Sequence, residues 1–365
     1  MFTFVVAEST VTNSLGRAIS MALIAEELGP VELWAHDDGP IWVGARHFDL
    51  DIKRFGGRNL SGLVRAVRTV AEQQPVLVWI SKGLSPLDQV AWQVKDIPNV
   101  QVVADFDDDD VSLMREQVRK SIKTALHLNV FHRKSPRQVR LAQRRTASAA
   151  CAYTFSSEVL RETFSAAGLP ERPAAVVSHA RPTSWLVPER TGRQPGALRL
   201  SYLGTVRPHK GGDRVLRLVE TMEDIEFWSF SGSFQPPNAK AVWHGVPPEA
   251  RLKDVYANID FTLVPQDPTS PAARNQLPAK IVEAAAFGVA VAATPTPVIE
   301  EYCAGSYLPV PDWSDSERVA ALIRSADPVA LGEKMRRVFI ERFQTSVSAA
   351  RVQELMGTLT DVGLP

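Results

Sequence analysis

The strongest constraint on the fold is a series of short, wholly apolar runs, each followed by a polar loop and a helical stretch. Phe2–Ala7, Val31–Ala35, Val76–Ile80, Val100–Ala104, Ala152–Phe155 and Ala174–Ser178 are the runs of the first half. A run without polar–apolar alternation is apolar on both faces, as the strands of a covered parallel sheet are. Between them lie helical stretches, one through about Leu28 that Gly29-Pro30 ends and one over Leu60–Gln74, while Ser156-Ser157 caps a third. Strands alternating with helices predict an α/β chain with a doubly wound sheet, in which ligands sit at the carboxyl ends of the strands.

The pattern then restarts. Pro182, Pro188, Pro195 and Gly196 mark a polar connection, and the domain boundary is expected near residue 190. Leu198–Leu203, Glu226–Ser231, Lys240–Trp243, Asp260–Val264 and Val289–Ala293 are the expected strands of the second half. Helices are expected to about Met222, over Glu249–Ala257 and from Val298, with Pro265–Leu277 a loop and three helices from Ser314 to about Leu359. A length of 365 residues suits two domains: 1–190, 191–345, and a C-terminal helix over 346–365 packing back towards the first.

Bulk properties exclude several classes. The net charge is +0 and the pI ≈ 7.1, so no global field recruits nucleic acid. Cys151 and Cys303 are the only cysteines and lack metal-type spacing, which argues for a reducing compartment and against a zinc site. Met1–Ala7 is too short and too lacking in basic residues for a signal peptide, and no run approaches a membrane span. A cytoplasmic protein is expected, with peripheral contact at the inner membrane face as an option.

Five regions carry candidate chemistry. In Arg274 to Val291, Pro278 opens a short helix and Gly288 ends it. The N–H groups left free at that end, near Lys280 and Ile281, can hold an anion, and Glu283, too deep to cap, can accept two hydroxyl hydrogen bonds such as a ribose offers. An Ala-rich packing helix with a surface Glu is the competing reading. The loop Gly204 to Asp213, with Arg207 and Lys210, follows a strand and precedes a helix; it reads as a phosphate cradle or as an ordinary surface turn. At the first strand's exit, Gly16 either lets the backbone approach a sugar or anion or is a simple turn glycine; no dinucleotide fingerprint is present.

Asp105, Asp107, Asp108, Asp109 and Asp110 crowd the exit of one strand, and Ser81-Lys82-Gly83 ends another. They could ligate Mg²⁺, bind sugar hydroxyls, or form a solvated loop and helix start, with Asp105 and Asp107 the ones to test. From Arg115 to Arg145 the chain is strongly basic with apolar residues interleaved, which fits an anionic membrane, a phosphorylated acceptor, or a solvated helix pair. It lacks the aromatic platform of a nucleic-acid binder.

Three blocks resemble one family. Tyr202-Leu203-Gly204 through Lys210-Gly211, Leu252–Pro265, and Pro278–Val291 are similar to the glycine–basic–Lys-Gly block, the helix-then-strand lead-in and the Glu-bearing helix of GT-B glycosyltransferases of the retaining, group 1 (family 4-like) kind. The resemblance covers roughly 198–303 closely and 1–190 only in architecture, with Val177-Ser178-His179-Ala180 standing at the family's strand-end turn before the linker. It implies two Rossmann-like domains facing a cleft, a helical C-terminal tail, and transfer of a sugar from a nucleoside-diphosphate sugar to an acceptor hydroxyl of a glycan, lipid-linked sugar or glycoside. It further implies that Glu283 holds the ribose, that Lys210 and Arg207 hold the diphosphate, that Gly204, Asn275, Lys280 and Ile281 line the donor, and that Gly16, Lys82 and His179 lie on the acceptor side. Neither cofactor nor metal is expected. Asn275 stands where the family often has a second glutamate, and Thr205 stands where its basic residue commonly follows the glycine. A sugar-nucleotide epimerase of the same fold and a non-catalytic nucleotide-sugar-binding subunit are the alternatives.

Overall fold

The computed structural model describes residues 1–12, 14–56, 60–120, 135–189, 192, 195–204, 206, 210–234, 241–247 and 250–361. The chain divides into two compact units, Met1–Ala180 with Thr345–Pro365, and Arg181–Gln344.

In the first unit, β1 (Phe2–Ala7), β2 (Val31–Asp37), β3 (Ile52–Gly56), β4 (Val76–Ser81), β5 (Val100–Phe106), β6 (Ala152–Phe155) and β7 (Ala174–Val176) form one sheet in the order β3-β2-β1-β4-β5-β6-β7. Every pairing is parallel. The helices are α1 (Leu15–Glu26), α2 (Ser61–Ala71), α3 (Leu87–Val94), α4 (Asp110–Lys120), α5 (Pro136–Ala149) and α6 (Glu158–Ala166). The central strand β4 shows why its run has no alternation. Val76, Val78 and Ile80 enter one core with Leu63, Val67 and Val90, and Leu77 and Trp79 enter another with Ile19 and Leu23. Ser157 caps α6, its Oγ accepting from Leu160 N at 3.1 Å.

The second unit repeats the plan with β8 (Leu198–Tyr202), β9 (Ile225–Phe230), β10 (Val242–Val246), β11 (Phe261–Val264), β12 (Ala290–Ala293) and β13 (Leu308–Pro309), in the order β10-β9-β8-β11-β12-β13. Its helices are α7 (Gly212–Thr221), α8 (Leu252–Tyr256), α9 (Pro271–Asn275), α10 (Ala279–Ala286), α11 (Pro297–Cys303), α12 (Ser316–Ser325) and α13 (Pro328–Val338). The last helix, α14 (Thr345–Asp361), belongs to the first unit. Ala349, Val352, Leu355 and Leu359 join the core of Ile19 and Trp79, and Thr345 Oγ1 donates to Glu27 Oε1 at 2.5 Å.

Several elements depart from the sequence expectation, the unexpected short edge strand β13 among them. β3 is an edge strand whose Lys53 and Arg54 pair with Glu32 and Asp37, so its polar residues hid it. α3 was not expected at all. α9 interrupts the expected loop 265–277, where Ser270 Oγ accepts from Ala273 N at 3.2 Å and Pro271 opens the turn. β10 begins two residues later than the predicted Lys240–Trp243 and runs on to Val246.

Candidate functional site

In the second unit the strand order reverses at β8, between β9 and β11, so the loops leaving β8 and β11 flank the crevice where such sheets take ligands. The β8 exit runs close to the β11 exit. Gly211 has φ +67°, and a Cβ there would stand 1.9 Å from Pro265 O, so glycine alone fits. From α7, Arg214 Nη1 donates to Pro265 O at 3.3 Å and Gln266 O at 3.1 Å, tying the two loops together.

Lys280, in the first turn of α10, points at the same place. It is 8% exposed, its Nζ lies 3.6 Å from the centre of the Tyr202 ring and 3.4 Å from Leu263 O, and it packs 3.5 Å from where a Cβ of Gly204 would be. Burial pushes this amine well below its ordinary value, and the neighbouring Lys210 ammonium pushes it further, against a smaller upward pull from Glu283. Lys210 is half-buried, and its carbonyl accepts from Tyr202 Oη at 3.3 Å. Gly204, Lys210 and Lys280 are thus brought together. Arg207 lies outside the described residues. The Ile281 N–H closes the first turn on Pro278 O at 2.9 Å, and the Ile281 side chain is buried. Asn275 is buried at the end of α9.

Glu283 lies one turn further along α10. Its Oε1 accepts from Arg181 Nη2 at 2.6 Å, and Tyr256 is a buried neighbour of the same carboxylate. Burial and the negative charge of Glu283 drive the Tyr256 phenol well up, against Arg181. Arg181 is itself held: its N–H donates to Phe343 O at 2.9 Å, and its guanidinium lies 5.4 Å from the Trp185 ring centre. The sequence reading missed Arg181, which stands 102 positions from Glu283. Its one signal was its place beside His179-Ala180 at the end of the block that resembles the strand-end turn.

In the first unit the acidic run divides into three. Asp105 is fully buried and takes a two-pronged bond from Arg17 of α1, Nε to Oδ2 at 2.8 Å and Nη2 to Oδ1 at 2.6 Å. Thr154 Oγ1 donates to it at 2.7 Å, so Asp105 is a structural partner of Arg17 at the heart of the sheet. Asp109 accepts from Ser112 N at 3.0 Å and starts α4. Asp107, Asp108 and Asp110 gather round Lys82 Nζ at 2.8, 2.5 and 3.7 Å. Burial alone would push this ammonium down, but the three carboxylates hold it well above its ordinary value. Burial and the neighbouring Asp108 raise the Asp107 carboxyl to about 7, against Lys82 and Arg17. Burial likewise raises Asp110, with Asp108, Asp107 and Glu8 adding to it and Lys82 opposing. The reading of a solvated loop therefore fails: Asp105, Asp107 and Asp110 are all buried. Lys82 has φ +66°, a conformation rare for a residue with a side chain. His179 Nδ1 lies 3.4 Å from Ser20 Oγ, and Gly16 packs against Trp42, 3.5 Å from where its Cβ would be. Among the described residues no group of three or more His, Cys, Asp or Glu is placed to hold a metal ion.

No family model matches the sequence, and no curated protein matches it. Solved structures do. Anabaena HepE in complex with UDP-glucose is similar at 13% identity and TM-score 0.67, over 99% of this chain and 100% of that one. Sucrose-phosphate synthase from Thermosynechococcus elongatus is similar at 13% identity and TM-score 0.65, over 99% and 100%. An Escherichia coli chain bound with UDP-2-fluoro glucose is similar at 12% identity and TM-score 0.58, over 97% and 99%. At such identities the likeness shows the fold, and that fold is GT-B: two Rossmann-like α/β units and a C-terminal helix, as in group 1 glycosyltransferases.

Proposed function

We propose that the protein is a glycosyltransferase that moves a sugar from a nucleoside-diphosphate sugar to an acceptor hydroxyl in glycan, glycolipid or glycoside synthesis, with retention of configuration. The observation that carries this reading is the pair Lys210 and Lys280 at the β8–β11 crevice. Two amines that influence each other's charge, one of them buried, make a place where a bound anion is stabilised. A diphosphate is such an anion. As the bond from the sugar C1 to the diphosphate breaks, charge grows on the departing phosphate, and Lys280 gains its proton most readily then. Lys210 and Lys280 stabilise that charge electrostatically, a role that the sequence resemblance gives to Arg207 as well, so the mechanism assigns no step to a metal.

Glu283 is proposed to hold the ribose. A carboxylate has about four acceptor sites; Arg181 occupies one, which leaves room for two adjacent hydroxyls. Asn275, Gly204 and Ile281 would shape the donor pocket around it. In the first unit, Lys82, Asp107 and His179 are the candidates for acceptor hydroxyls, with Gly16 a packing position beside them. Asp105, closed off by Arg17, takes no part. Because HepE binds UDP-glucose and the E. coli chain binds UDP-2-fluoro glucose, uridine diphosphate sugars are the first donors to test.

A thermal-shift panel of nucleoside-diphosphate sugars should give a selective rise in Tm that Glu283→Ala abolishes, followed by diphosphate release that needs an acceptor. No shift with any donor would sink the reading. One observation favours a second reading: Asp107, a carboxyl raised to about 7, is fit for proton transfer and would suit an epimerase. Isomerised donor formed without acceptor would establish that alternative.

A further inference from the structure

On the helical layer of the first unit, within the basic stretch 115–145 of which 121–134 lie outside the described residues, is a cavity of about 280 Å³ that the proposed donor and acceptor sites do not use. Arg115 of α4 forms one wall, and Arg140 and Arg144, one turn apart on α5, form another. All three arginines are exposed, and among the described residues none of them has a carboxylate partner. The adjacent Arg145, by contrast, pairs with Asp88 at 3.6 Å. The one acid at the rim, Asp109, has its Oδ1 engaged in capping α4.

Between the two arginines of α5, Gln143 also lines the cavity. It is 3% exposed, and its Nε2 has no hydrogen-bond acceptor among the described residues. A buried donor left in that state costs about 1–3 kcal/mol, which an acceptor entering the cavity recovers. Phe164 and Leu169 add apolar lining, and the Phe164 ring lies 4.5 Å from that of Phe106.

Three guanidinium forks and an amide N–H offer more donors than a carboxylate's two oxygens can use. They match a phosphate monoester, with three terminal oxygens and close to two negative charges. We propose that this cavity binds a phosphate monoester of an apolar alcohol, its phosphate among Arg115, Arg140, Arg144 and Gln143, and its first methylenes against Phe164 and Leu169. The group could belong to a membrane lipid or to a soluble phosphoester.

The test titrates the full chain with octyl phosphate and with inorganic phosphate by calorimetry. Octyl phosphate should saturate one site and bind at least about tenfold more tightly than inorganic phosphate. The double variant Arg140→Ala/Arg144→Ala should lose at least about tenfold. Both residues are exposed, so the fold should hold; Arg115→Ala, on the other helix, gives an independent check, and Gln143→Leu should weaken binding without changing the charge. Sedimentation with phosphatidylcholine vesicles, with and without phosphatidic acid, separates the sources. Retention on phosphatidic acid that the double variant loses assigns a lipid, and octyl phosphate binding without retention assigns a soluble phosphoester. No saturable binding of octyl phosphate, or equal binding by wild type and the double variant, would overturn the site. Equal affinity for the two phosphates would overturn the apolar half of it.

Discussion

Lys280 is an amine where an amine is costly. Replacing it with Met, of similar length and no charge, should stabilise the protein by about 1 kcal/mol, measured by urea unfolding, because an amine disfavoured by burial and by Lys210 is removed. A residue whose loss stabilises the fold is kept for function, and a lower stability in this variant would argue that its contact with Tyr202 is structural. Arg181→Ala should cost about 2 kcal/mol and raise the donor KM about tenfold, since the carboxylate of Glu283 loses the charged hydrogen bond that aims it. Arg181→Lys should restore charge but not the geometry, and an unchanged donor KM in either variant would remove Arg181 from the site. Asp107 gives a pH signature. Its folded carboxyl is raised from near 4 to about 7, so its contribution is fully present below about 4 and is lost as pH rises through about 7. Tm should therefore fall across that window, and Asp107→Asn should flatten the fall; a profile identical in the variant would contradict it. None of these pairings could be read from the sequence. Arg17 meets Asp105 across 88 positions, Lys82 meets Asp108 across 26, and Arg181 meets Glu283 across 102, and only the folded sheet brings them together.

The elements were legible where burial is symmetric. The residues of β4 alternate between two cores, both apolar, so the strand stood out in sequence; β3, at an edge with Lys53 and Arg54, did not. Short α9 was hidden by the Pro and Asn residues that usually mark loops, although Ser270-Pro271 is itself a helix-start signal. At this scale the most sensitive point of the site is Gly211. Gly211→Ala needs a left-handed alanine, at about 1–2 kcal/mol, and drives its methyl into Pro265 O. The β8 and β11 exit loops would have to part, and donor affinity should fall at least about tenfold while the second unit stays folded. Wild-type affinity in this variant would show that the spacing of the two loops does not matter to the donor.

Across the whole molecule, the first unit is built from both ends of the chain. α14 closes a core that α1 and β4 begin, and its Ala349, Val352, Leu355, Met356 and Leu359 are all buried there. Ending the chain at Gln344 would expose these contacts at a cost of about 5 kcal/mol or more, comparable with the entire stability of a typical domain. Limited proteolysis should then degrade residues 1–180 and spare 181–344; resistance of both would show that α14 is dispensable.

The diphosphate site is tested most directly by calorimetric titration of uridine diphosphate into the wild type and Lys280→Met, at mildly alkaline pH, in two buffers of different ionisation enthalpy. If Lys210 and Lys280 hold the diphosphate, the wild type binds with proton uptake as the anion raises the depressed Lys280 amine. In that case Lys280→Met binds at least about tenfold more weakly without uptake. Equal affinity in both proteins, with no proton taken up by either, would contradict the assignment of this crevice to a nucleoside diphosphate.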